Sequence, residues 1–429
     1  MKTPHVVIVG AGFGGLNVAK ALRKAPVRVT VIDQNNFHLF QPLLYQVATA
    51  GLSPADIAVP IRSILRKQSN TEVLLDEVVG IDASKNLVLL NNRGIPYDYL
   101  VLATGSSYTY FGHDRWAMYT SGLKTISDAT RIRRQILSAF EAAEQEASPD
   151  VRASMLRIAI VGGGPTGVEL AGAIAELAYR AIAKDFRHID PQETEIILIE
   201  AGPRILANLS PELSEAASKE LKHLGVKVKT GARVQDIDPM GVTLQNERIE
   251  TRTVIWAAGV VSSPAGKWLG AQMDRQGKVI VTKDLSVPGH PNVFVIGDCS
   301  HYEQDGKPLP GVAPVAMQMG KYVADVIRLR TQGSIDGDDT PAFHYWDKGN
   351  LATVGRRFAV ADIGRFKLTG VTAWLTWLVV HVFYLIGFRN RVAVILQWIW
   401  MYVTFGRGAR LIVPPEPHMQ EPERVSRSA

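Results

Sequence analysis

The sequence predicts an α/β protein with two Rossmann-like domains, the first interrupted by the second, followed by a C-terminal helical segment. Two observations predict the paired domains. Stretches of the form G-x-G-x-x-G occur at Gly10–Gly15 and Gly162–Gly167, and each follows an apolar, β-branched run that is typical of a buried parallel strand. A third observation predicts the C-terminal segment, because two long apolar runs lie between basic residues beyond residue 341.

The first glycine-rich stretch, Gly10-Ala11-Gly12-Phe13-Gly14-Gly15, has the spacing of a dinucleotide-binding turn. In such a turn the first glycine permits a tight bend, the second lets the backbone approach a pyrophosphate, and the third lets the helix pack on the strand. Unpaired N–H groups at the helix N-terminus then favour negative charge. The next strand ends at Asp33, 18 residues after Gly15, the usual distance for a ribose-binding acid.

The second stretch, Gly162-Gly163-Gly164-Pro165-Thr166-Gly167, begins 152 residues after the first. Its acid, Glu200, lies 33 residues after Gly167, and we expect an extended helix from about Thr166 to His188 in the longer interval. A terminal carboxylate binds a free 2′-hydroxyl and repels a 2′-phosphate, so NADH is favoured over NADPH, although the nearby Arg204 weakens this preference. The alternative is an ordinary strand–turn–helix with accidental glycines, which two stretches with two acids make less favourable.

Composition limits the chemistry of the protein. A chain of 429 residues suits two or three domains. The single cysteine, Cys299, excludes an internal disulfide and a CxxC metal or redox pair, and we expect it to be a small apolar core residue in a protein of a reducing compartment. We expect no metal site, and no removable signal peptide, because Met1-Lys2-Thr3-Pro4 leads directly into the first strand.

The net charge of +6 is concentrated near the C-terminus. Residues 341–413 contain nine Lys or Arg against two Asp, so the rest of the chain is close to neutral, and they also hold five of the eight tryptophans. Arginines flank the two apolar runs, Leu368–Phe388 and Val392–Phe405. This combination predicts a lipid bilayer surface as a partner and no nucleic acid.

Three arrangements of the apolar runs are compatible with the sequence. Leu368–Phe388 has 21 residues and is long enough to span a bilayer, whereas Val392–Phe405 is too short. A buried helical hairpin and anchoring in the plane of the membrane are the other two arrangements. The bracketing arginines favour in-plane anchoring.

The remaining pattern predicts how the chain is divided. Residues 71–104 read as strand-rich, and a second βαβ unit begins near Arg157 and carries the strands EIILIE, VKVKT and TVIWAAG. His290–Asp298 reads as a buried strand, and a helix is expected from about Val315 to Arg330. The predicted domains are residues 1–118 and 285–340 for the interrupted first domain, 119–284 for the second, and 341–429 for a membrane-association segment.

Further motifs occur in an order that resembles the flavoprotein superfamily with two dinucleotide-binding domains. These motifs are Ala103-Thr104-Gly105, Ala257-Ala258-Gly259 and Gly297-Asp298. More narrowly, FHLFQPLLYQVATAGLSP (Phe37–Pro54), GGGPTGVELAGAIAEL and TGVTAWLTWLVVHV are similar to type II, non-proton-pumping NADH:quinone oxidoreductases. The resemblance covers nearly the whole chain, and FQPLLYQVATA is specific to this branch.

The resemblance implies FAD in the first domain, NADH in the second, and transfer of two electrons to a membrane quinone. The implied FAD-binding residues are Gly10, Gly12, Phe13, Gly14, Gly15, Asp33, Val78, Ala103, Thr104, Gly105, Gly297 and Asp298. The implied NADH-binding residues are Gly162, Gly164, Thr166, Gly167, Glu200, Ala258 and Gly259. The implied quinone-binding residues are Gln46, Thr49, Ala316 and Gln318.

Two polar residues are candidate catalytic residues, because quinone reduction takes up two protons. Glu169 follows the second glycine turn, and the matching glutamate of the family lies near the nicotinamide and the flavin. The alternative for Glu169 is a helix N-terminal acid favoured by the helix dipole. Gln318 lies in a segment similar to the family's A-Q-x-A-x-Q quinone motif, with Pro314 in place of the first Gln; the alternative is plain helix surface.

The region from Gln41 to Thr49 contains no cysteine. The disulfide-, peroxide- and oxygen-reducing branches of the superfamily that the chain resembles place cysteines there, and sulfide:quinone oxidoreductases also need cysteines, so the resemblance does not extend to these branches. The predicted function is therefore oxidation of NADH and reduction of a membrane quinone in a respiratory chain. The protein is predicted to be peripheral, on the cytoplasmic face of the inner membrane, and a homodimer is possible. Two alternatives are kept. The chain could reduce a soluble protein partner, or it could resemble apoptosis-inducing factor, with a mainly non-catalytic role.

Overall fold

The computed structural model describes residues 3–335 and 339–413, so parts of the predicted linker Gly333–Pro341 and of the C-terminal segment lie outside the described residues. The elements up to residue 108 are β1 His5–Val9, α1 Phe13–Ala21, β2 Arg28–Asp33, β3 Phe37–Leu39, α2 Leu44–Ala48, α3 Pro54–Ile57, β4 Ala58–Pro60, α4 Ile61–Leu65, β5 Thr71–Leu75, β6 Val78–Asp82, β7 Leu87–Leu90, β8 Gly94–Pro96, β9 Tyr99–Leu102 and β10 Ser106–Tyr108. The elements from residue 120 to residue 262 are β11 Thr120–Gly122, α5 Ile126–Gln145, α6 Pro149–Met155, β12 Arg157–Val161, α7 Pro165–Glu176, β13 Glu195–Ile199, α8 Pro211–His223, β14 Val226–Lys229, β15 Val234–Asp238, β16 Gly241–Leu244, β17 Arg248–Glu250, β18 Thr253–Trp256 and β19 Val260–Ser262.

The chain then returns to the first domain and continues into a C-terminal module. The returning elements are α9 Ala265–Leu269, β20 Val279–Ile280, β21 Ser286–Val287, β22 His290–Val295, β23 Ser300–His301, β24 Glu303–Gln304, β25 Lys307–Pro308 and α10 Ala313–Thr331. The C-terminal module consists of β26 Asn350–Val354, β27 Phe358–Ile363, β28 Phe366–Thr369, α11 Gly370–Tyr384 and α12 Phe388–Thr404.

Two parallel sheets organise the two nucleotide-type domains. The first sheet has the order β21-β22-β9-β1-β2-β5, in which only β21 runs antiparallel to its neighbour. The second sheet has the order β11-β18-β12-β13-β14 and is parallel throughout. Because β22 comes from the returning segment, the first domain is interrupted by the second, as predicted.

The strands form where the sequence predicts them because their residues are apolar and β-branched. All five residues of β1 are buried, and four of the five in β12 are buried. The two faces of the first sheet pack in separate cores, one of which includes α1 and α10 and the other β6 and β7. The predicted domain boundaries stay predictions. Ala265 and Val279 belong to the core of the first domain, although they precede the predicted boundary at residue 285.

The predicted helix from Thr166 to His188 is shorter than expected. Helix α7 ends at Glu176, and a single π-helical turn, Leu177–Ala181, follows it. Beyond this turn, the backbone N–H groups of Arg187, His188 and Ile189 donate to the Glu144 carboxylate instead of to helical carbonyls. The Glu144 carboxylate therefore holds residues 187–189, at the end of the predicted range, in a non-helical segment.

The C-terminal module packs on the second domain and on α2. Its buried side chains, among them Ala352, Trp377 and Val394, belong to one apolar cluster with residues of α5 and α7. Asn390 donates to the carbonyl oxygens of Ala55 and Asp56 at 3.0 Å each, which fixes the start of α12 against α3.

The predicted run Leu368–Phe388 is not one helix. It begins in β28, forms the 15-residue helix α11, and then turns at Gly387, whose φ of 92° favours glycine. A helix of 15 residues is about 22 Å long, shorter than a hydrocarbon core of about 30 Å. Within residues 3–335 and 339–413, no helix has the length and apolar character needed to span a bilayer.

Candidate functional site

Each nucleotide turn lies at the carboxyl end of a central strand. The first turn joins β1 to α1, and β1 lies between β2 and β9 in its sheet. The second turn joins β12 to α7, and β12 lies between β13 and β18. The order of strands reverses at both positions, and ligands of such sheets bind there. Gly12 and Gly164 provide no side-chain cap, so the first N–H groups of both helices are available to a phosphate.

The first turn has no room for side chains at two of its glycines. Gly10 has a φ of 95°, and a Cβ there would lie 2.4 Å from the carbonyl oxygen of Ala103. A Cβ on Gly15 would lie 1.9 Å from the carbonyl oxygen of Gly10. At Gly12, in contrast, no atom lies within 4 Å of a built Cβ, which leaves open space beside the helix N-terminus. This geometry fits a pyrophosphate.

The second turn repeats this geometry. Gly162 has a φ of 113°, and its Cβ would lie 2.7 Å from the carbonyl oxygen of Ala257; a Cβ on Gly167 would lie 1.9 Å from the carbonyl oxygen of Gly162. Gly164 again has open space around a built Cβ. Both turns therefore fit a dinucleotide, and the chain has the residues to hold two.

The two predicted acids lie directly against the turns. The Asp33 carboxylate accepts from the Ala11 N–H at 2.7 Å, and the Glu200 carboxylate accepts from the Gly163 N–H at 2.6 Å. Burial raises the pKa of Asp33, and its backbone hydrogen bonds act in the opposite direction. Both acids lie where a ribose-binding acid is expected to act.

The Arg204 side chain forms hydrogen bonds within its own loop. Its guanidinium donates to the carbonyl oxygens of Leu209 at 2.6 Å and Ala207 at 2.8 Å. These bonds hold the cation in its own loop, which favours the expected preference for NADH over NADPH.

The remaining predicted cofactor-binding residues lie in loops at the same sheet edges. Gly105 and Gly259 both have a φ of 70°, and the Thr104 and Ser263 hydroxyls lie 2.5 Å apart, joining the loops of the two domains. Three of the other predicted residues lie at the starts of elements: Phe13 begins α1, Val78 begins β6, and Thr166 lies in the first turn of α7. Ala103 follows β9 and Ala258 follows β18. Gly14 and Gly297 both lie beside Ala316.

Asp298 is held by a hydrogen-bond chain from the second domain. Ser106 donates to its carboxylate at 2.7 Å, and the Lys124 ammonium donates to the Ser106 hydroxyl at 3.2 Å. Burial lowers the pKa of Lys124, and the charge of Asp298 acts in the opposite direction. The neighbouring Cys299 is fully buried, which confirms the prediction of a small core residue, and burial raises the pKa of its thiol.

A cavity of about 90 Å³ lies between α2, α7 and the C-terminal module. Predicted residues Gln46, Thr49 and Glu169 lie in its wall. Aromatic side chains of the C-terminal helices close the other side: Trp374, Trp377, Trp398, Tyr402 and Phe405. The cavity is therefore apolar, with a few polar groups that converge on it, as expected for a site that binds a flat organic ring.

Glu169 is the acid of this cavity. Burial raises the pKa of its carboxyl to about 8, although the backbone N–H of Thr353 stabilises the charged form. The carboxyl group therefore holds a proton at neutral pH. Glu169 lies on the second turn of α7, beyond the reach of the helix N-terminus, so the dipole alternative does not describe its surroundings.

Gln46 and Thr49 have partners within the protein. The Gln46 side chain donates to the Tyr45 hydroxyl at 3.0 Å and accepts from the Trp398 indole N–H at 2.7 Å. The Thr49 hydroxyl donates to the Tyr45 carbonyl oxygen at 3.0 Å. The amide of Gln46 thus links α2 to α12 in the wall of the cavity.

Ala316 and Gln318 do not line this cavity. Gln318 forms two hydrogen bonds with the backbone of Trp346, as donor at 2.9 Å and as acceptor at 3.0 Å. Its side chain therefore joins α10 to the start of the C-terminal module. Ala316 lies instead against the first nucleotide turn, where its Cβ is 3.1 Å from a Cβ built on Gly297.

Sequence reasoning missed the charged residues of the cavity. Arg407 donates to the carbonyl oxygens of Thr49 and Ala173 and lies 3.5 Å from the Glu176 carboxylate. Burial raises the pKa of Glu176, and Arg407 acts in the opposite direction. The seven-residue spacing of Glu169 and Glu176 on α7 places both on one helix face and could have indicated the pair.

The fold and the two turns define a class: oxidoreductases that hold two dinucleotides in neighbouring domains. Residues 4–320 match the pyridine nucleotide-disulphide oxidoreductase family, and residues 347–408 match the NDH2 C-terminal domain. The chain is 45% identical over 417 residues to the type II NADH:quinone oxidoreductase Ndh of Mycobacterium tuberculosis, covering 94% of this chain and 89% of that relative. It therefore belongs to the type II NADH:quinone oxidoreductase family, as the sequence predicted.

More distant relatives agree with this membership. The type II NADH:quinone oxidoreductase of Staphylococcus haemolyticus is 29% identical over 380 residues, which cover 86% of this chain and 92% of the relative. The structure of NDH2 from Plasmodium falciparum in complex with NADH has a TM-score of 0.86, covering 96% of this chain and 100% of that chain at 22% identity. That likeness shows a common fold.

Replacing Glu169 by Gln changes how stability depends on pH. Glu169 keeps its proton up to about pH 8 in the native state, whereas the ordinary pKa of a glutamate carboxyl is 4.5. Between these values the native state holds the extra proton, so this group makes the wild type less stable as pH rises. Because Gln does not titrate, Glu169→Gln should match the wild-type melting temperature near pH 5 and exceed it increasingly towards pH 8.5. Calorimetry at several pH values measures this difference.

A matched control for this experiment is Glu215→Gln, which changes an exposed carboxyl on α8. We expect no such pH-dependent difference for the control. A difference between Glu169→Gln and wild type that stays constant from pH 5 to pH 8.5 would contradict a raised pKa at Glu169.

Proposed function

We propose that this protein oxidises NADH and reduces a membrane quinone without pumping protons, as a peripheral enzyme of a respiratory chain. The observation that carries the proposal is the cavity at Glu169. One wall belongs to α7, the helix that begins at the second nucleotide turn, and the opposite wall belongs to helices whose outer faces are apolar. A site in this position connects a nucleotide domain with a lipid phase.

FAD is assigned to the first domain and NADH to the second. The open space at Gly12 and the uncapped start of α1 fit the pyrophosphate of FAD, and Asp33 is placed for a ribose hydroxyl. Bound FAD supplies the two-electron redox chemistry, because no side chain of the protein can do so. The second turn, with Glu200, would hold NADH in the same manner.

Glu169 is proposed to deliver a proton to the quinone. Its carboxyl is protonated at neutral pH and lies in the wall of the cavity where the ring would bind, so one proton is available there. Tyr45, beside it in the same cavity, also remains protonated, because burial raises the pKa of its phenol well above the ordinary value.

Binding of a quinone ring requires side chains to move. The cavity of about 90 Å³ is smaller than an engineered cavity of about 150 Å³ that holds one benzene molecule. The hydrogen bond between Gln46 and Trp398 lies in the cavity wall, and we propose that Gln46 exchanges this partner for a quinone carbonyl. Thr49 lies next to this position, whereas Ala316 and Gln318 would support the flavin side and the C-terminal module.

The lipid-facing surface is formed by two exposed stripes. On α11 the stripe consists of Val371, Leu375, Val379 and Phe383, and on α12 it consists of Phe388, Val392, Leu396, Ile399 and Val403. Spacings of three and four residues place each set on one helix face. His381 adds no charge at neutral pH, because burial lowers its pKa to about 4. We propose that both helices lie in the plane of the cytoplasmic leaflet of the inner membrane.

The soluble-partner and apoptosis-inducing-factor-like alternatives predict a different acceptor. Purified protein should show a flavin absorption spectrum and oxidise NADH rapidly with a quinone panel, whereas NADH oxidation that responds to none of the quinones would overturn the proposal. Assembly into a homodimer stays a prediction, which sedimentation in detergent checks.

The cofactor assignment predicts separate effects of the two acids. Asp33→Ala should release FAD during gel filtration, because the carboxylate that supports the first turn is lost. Glu200→Ala should raise the KM for NADH by at least about tenfold and leave FAD bound, since one charge-assisted hydrogen bond contributes about 1.5–3 kcal/mol. Each variant is the control for the other. If both changes affected only NADH, the assignment of the two domains would be reversed.

The quinone assignment predicts that Gln46→Leu slows reoxidation of the reduced flavin by quinone severalfold, because one neutral hydrogen bond contributes about 0.5–1.5 kcal/mol. Stopped-flow absorbance should show bleaching by NADH at the wild-type rate. Gln318→Leu should also slow only the reoxidation, through the loss of its two bonds to Trp346. Slower bleaching in either variant would place that residue on the nicotinamide side.

The in-plane arrangement predicts that alkaline carbonate releases the full-length protein from membranes. Removal of residues 368–429 should release the protein under mild conditions as well, and abolish reduction of lipid-soluble quinones while both nucleotide turns remain. Retention in carbonate together with protease access to the C-terminus from the far side would establish a spanning helix.

A further inference from the structure

Lys124 is a cation of the second domain that reaches residues of the first domain. It lies two residues after β11, at the carboxyl edge of the second sheet, and just before α5. Its ammonium group donates to the Ser106 hydroxyl at 3.2 Å, and Ser106 donates to the Asp298 carboxylate at 2.7 Å. The carbonyl oxygen of Lys124 accepts from the Gln41 side chain at 3.1 Å. Lys124 therefore bridges the two domains through both its side chain and its backbone.

The backbone of Lys124 is also held from its own side. Its N–H group donates to the Asp128 carboxylate at 3.2 Å. The same carboxylate accepts from the Thr125 N–H at 2.9 Å and completes the capping box of α5. The charge of Asp128 is thus engaged by the start of its own helix. The side chain of Lys124 extends from a fixed point towards Ser106.

The ammonium group of Lys124 has no direct counter-ion. In the part of the chain that the structure describes, no carboxylate lies within 4.0 Å of it, and the Ser106 hydroxyl is its one hydrogen-bond partner. An ammonium group has three N–H donors, so two of them have no protein partner among these residues. Asp298, the nearest acid of the chain described above, is reached only through Ser106. The site therefore has an excess of positive charge.

The order of strands in the first sheet places this charge beside one half of a bound FAD. Strand β2, which ends at Asp33, lies on one side of β1, and β9 and β22, which lead to Ser106 and Asp298, lie on the other. A dinucleotide with its ribose at Asp33 and its pyrophosphate at the turn after β1 extends its other half across the sheet edge. In FAD that half carries the flavin, so the flavin half lies towards Ser106 and Asp298.

The second sheet has the same order around its own turn. Strand β13, followed by Glu200, lies on one side of β12, and β18 and β11 lie on the other. The nicotinamide half of NADH therefore extends towards the end of β11, which Lys124 follows. The Thr104 and Ser263 hydroxyls, 2.5 Å apart, join the two domains at this junction. Lys124 thus lies where the reacting halves of the two cofactors meet.

We propose that the charge of Lys124 raises the reduction potential of the bound flavin and so favours its reduction by NADH. The inference rests on the proposed assignment of FAD to the first domain and NADH to the second. When NADH transfers a hydride, two electrons and one hydrogen nucleus pass to the flavin. The flavin gains one negative charge, and the nicotinamide gains one positive charge. A fixed cation on the flavin side stabilises the negative charge that develops there.

The test measures the midpoint potential of the flavin in the full-length protein with FAD bound. Absorbance titration against redox dyes gives this potential without turnover. Lys124→Met removes the charge at nearly constant side-chain length, and Lys124→Arg keeps the charge. The matched control is Lys219→Met, which removes the charge of an exposed lysine on α8.

At an effective dielectric constant of about 20, a unit charge ~10 Å away changes an equilibrium constant by roughly tenfold. We therefore expect Lys124→Met to lower the midpoint potential by about 30 mV, which corresponds to about tenfold for a two-electron couple. Lys124→Arg should restore most of the difference, and Lys219→Met should match the wild type. An unchanged potential in Lys124→Met would overturn the inference. A higher KM for NADH at an unchanged potential would assign Lys124 to NADH binding instead.

A second variant keeps the test decisive if Lys124→Met loses FAD. Lys124→Gln keeps a hydrogen-bond donor for Ser106 and should show the same fall in potential. Loss of FAD from both variants would overturn the inference, because it would show that Lys124 serves FAD binding. The titration contains no quinone, so a wild type that reduces no quinone would overturn the proposed function and leave this comparison intact. A wild type without a flavin spectrum would overturn both.

Discussion

The arrangement of the three units depends on one buried cation, Arg407. Its guanidinium lies where the end of the C-terminal module meets α7 of the second domain and the turn after α2 of the first, and it bonds to both Thr49 and Ala173. Removing one partner of a buried ion pair costs about 3–5 kcal/mol, because the other charge is left uncompensated. Glu176 is that partner here. A contact of this kind tolerates few alternative arrangements, so it fixes the module against both nucleotide domains and thereby shapes the cavity between them.

The nucleotide turns are governed by a different and more local constraint. At both turns the third glycine of the motif lies so close to the first that any Cβ would overlap a carbonyl oxygen, as at Gly15 and Gly167. Such a constraint involves residues five apart in sequence, so the sequence shows it directly. For this reason the strands, the turns, the positions of Asp33 and Glu200, and the interruption of the first domain could be predicted from the sequence alone. The glycines that bend the chain after β9 and β18, Gly105 and Gly259, were also apparent in the sequence.

The parts that could not be predicted depend on residues that are distant in sequence. The cavity requires Glu169 to meet aromatic residues more than 200 positions later, and no local pattern in α7 indicates this. Gln318 was predicted from a motif to face the quinone, yet its amide is engaged by the backbone of Trp346, a contact that depends on how the module folds back on α10. The end of the extended helix predicted after Thr166 is not helical, and there Glu144, from another helix, accepts hydrogen bonds from the N–H groups of Arg187 and His188.

Helix α12 connects the cavity with the surface because its two faces have different roles. Trp398, Tyr402 and Phe405 face the cavity, while Leu396, Ile399 and Val403 are exposed on the stripe. An apolar stripe of this kind is stable only when it is covered, and the same helix cannot turn its stripe inward without exposing the cavity wall. Covering the stripe with lipid therefore places the aromatic wall within one helix diameter of the acyl chains. An apolar ring that reached the cavity from this face would meet Gln46 and Trp398 in the same wall that holds the proton on Glu169.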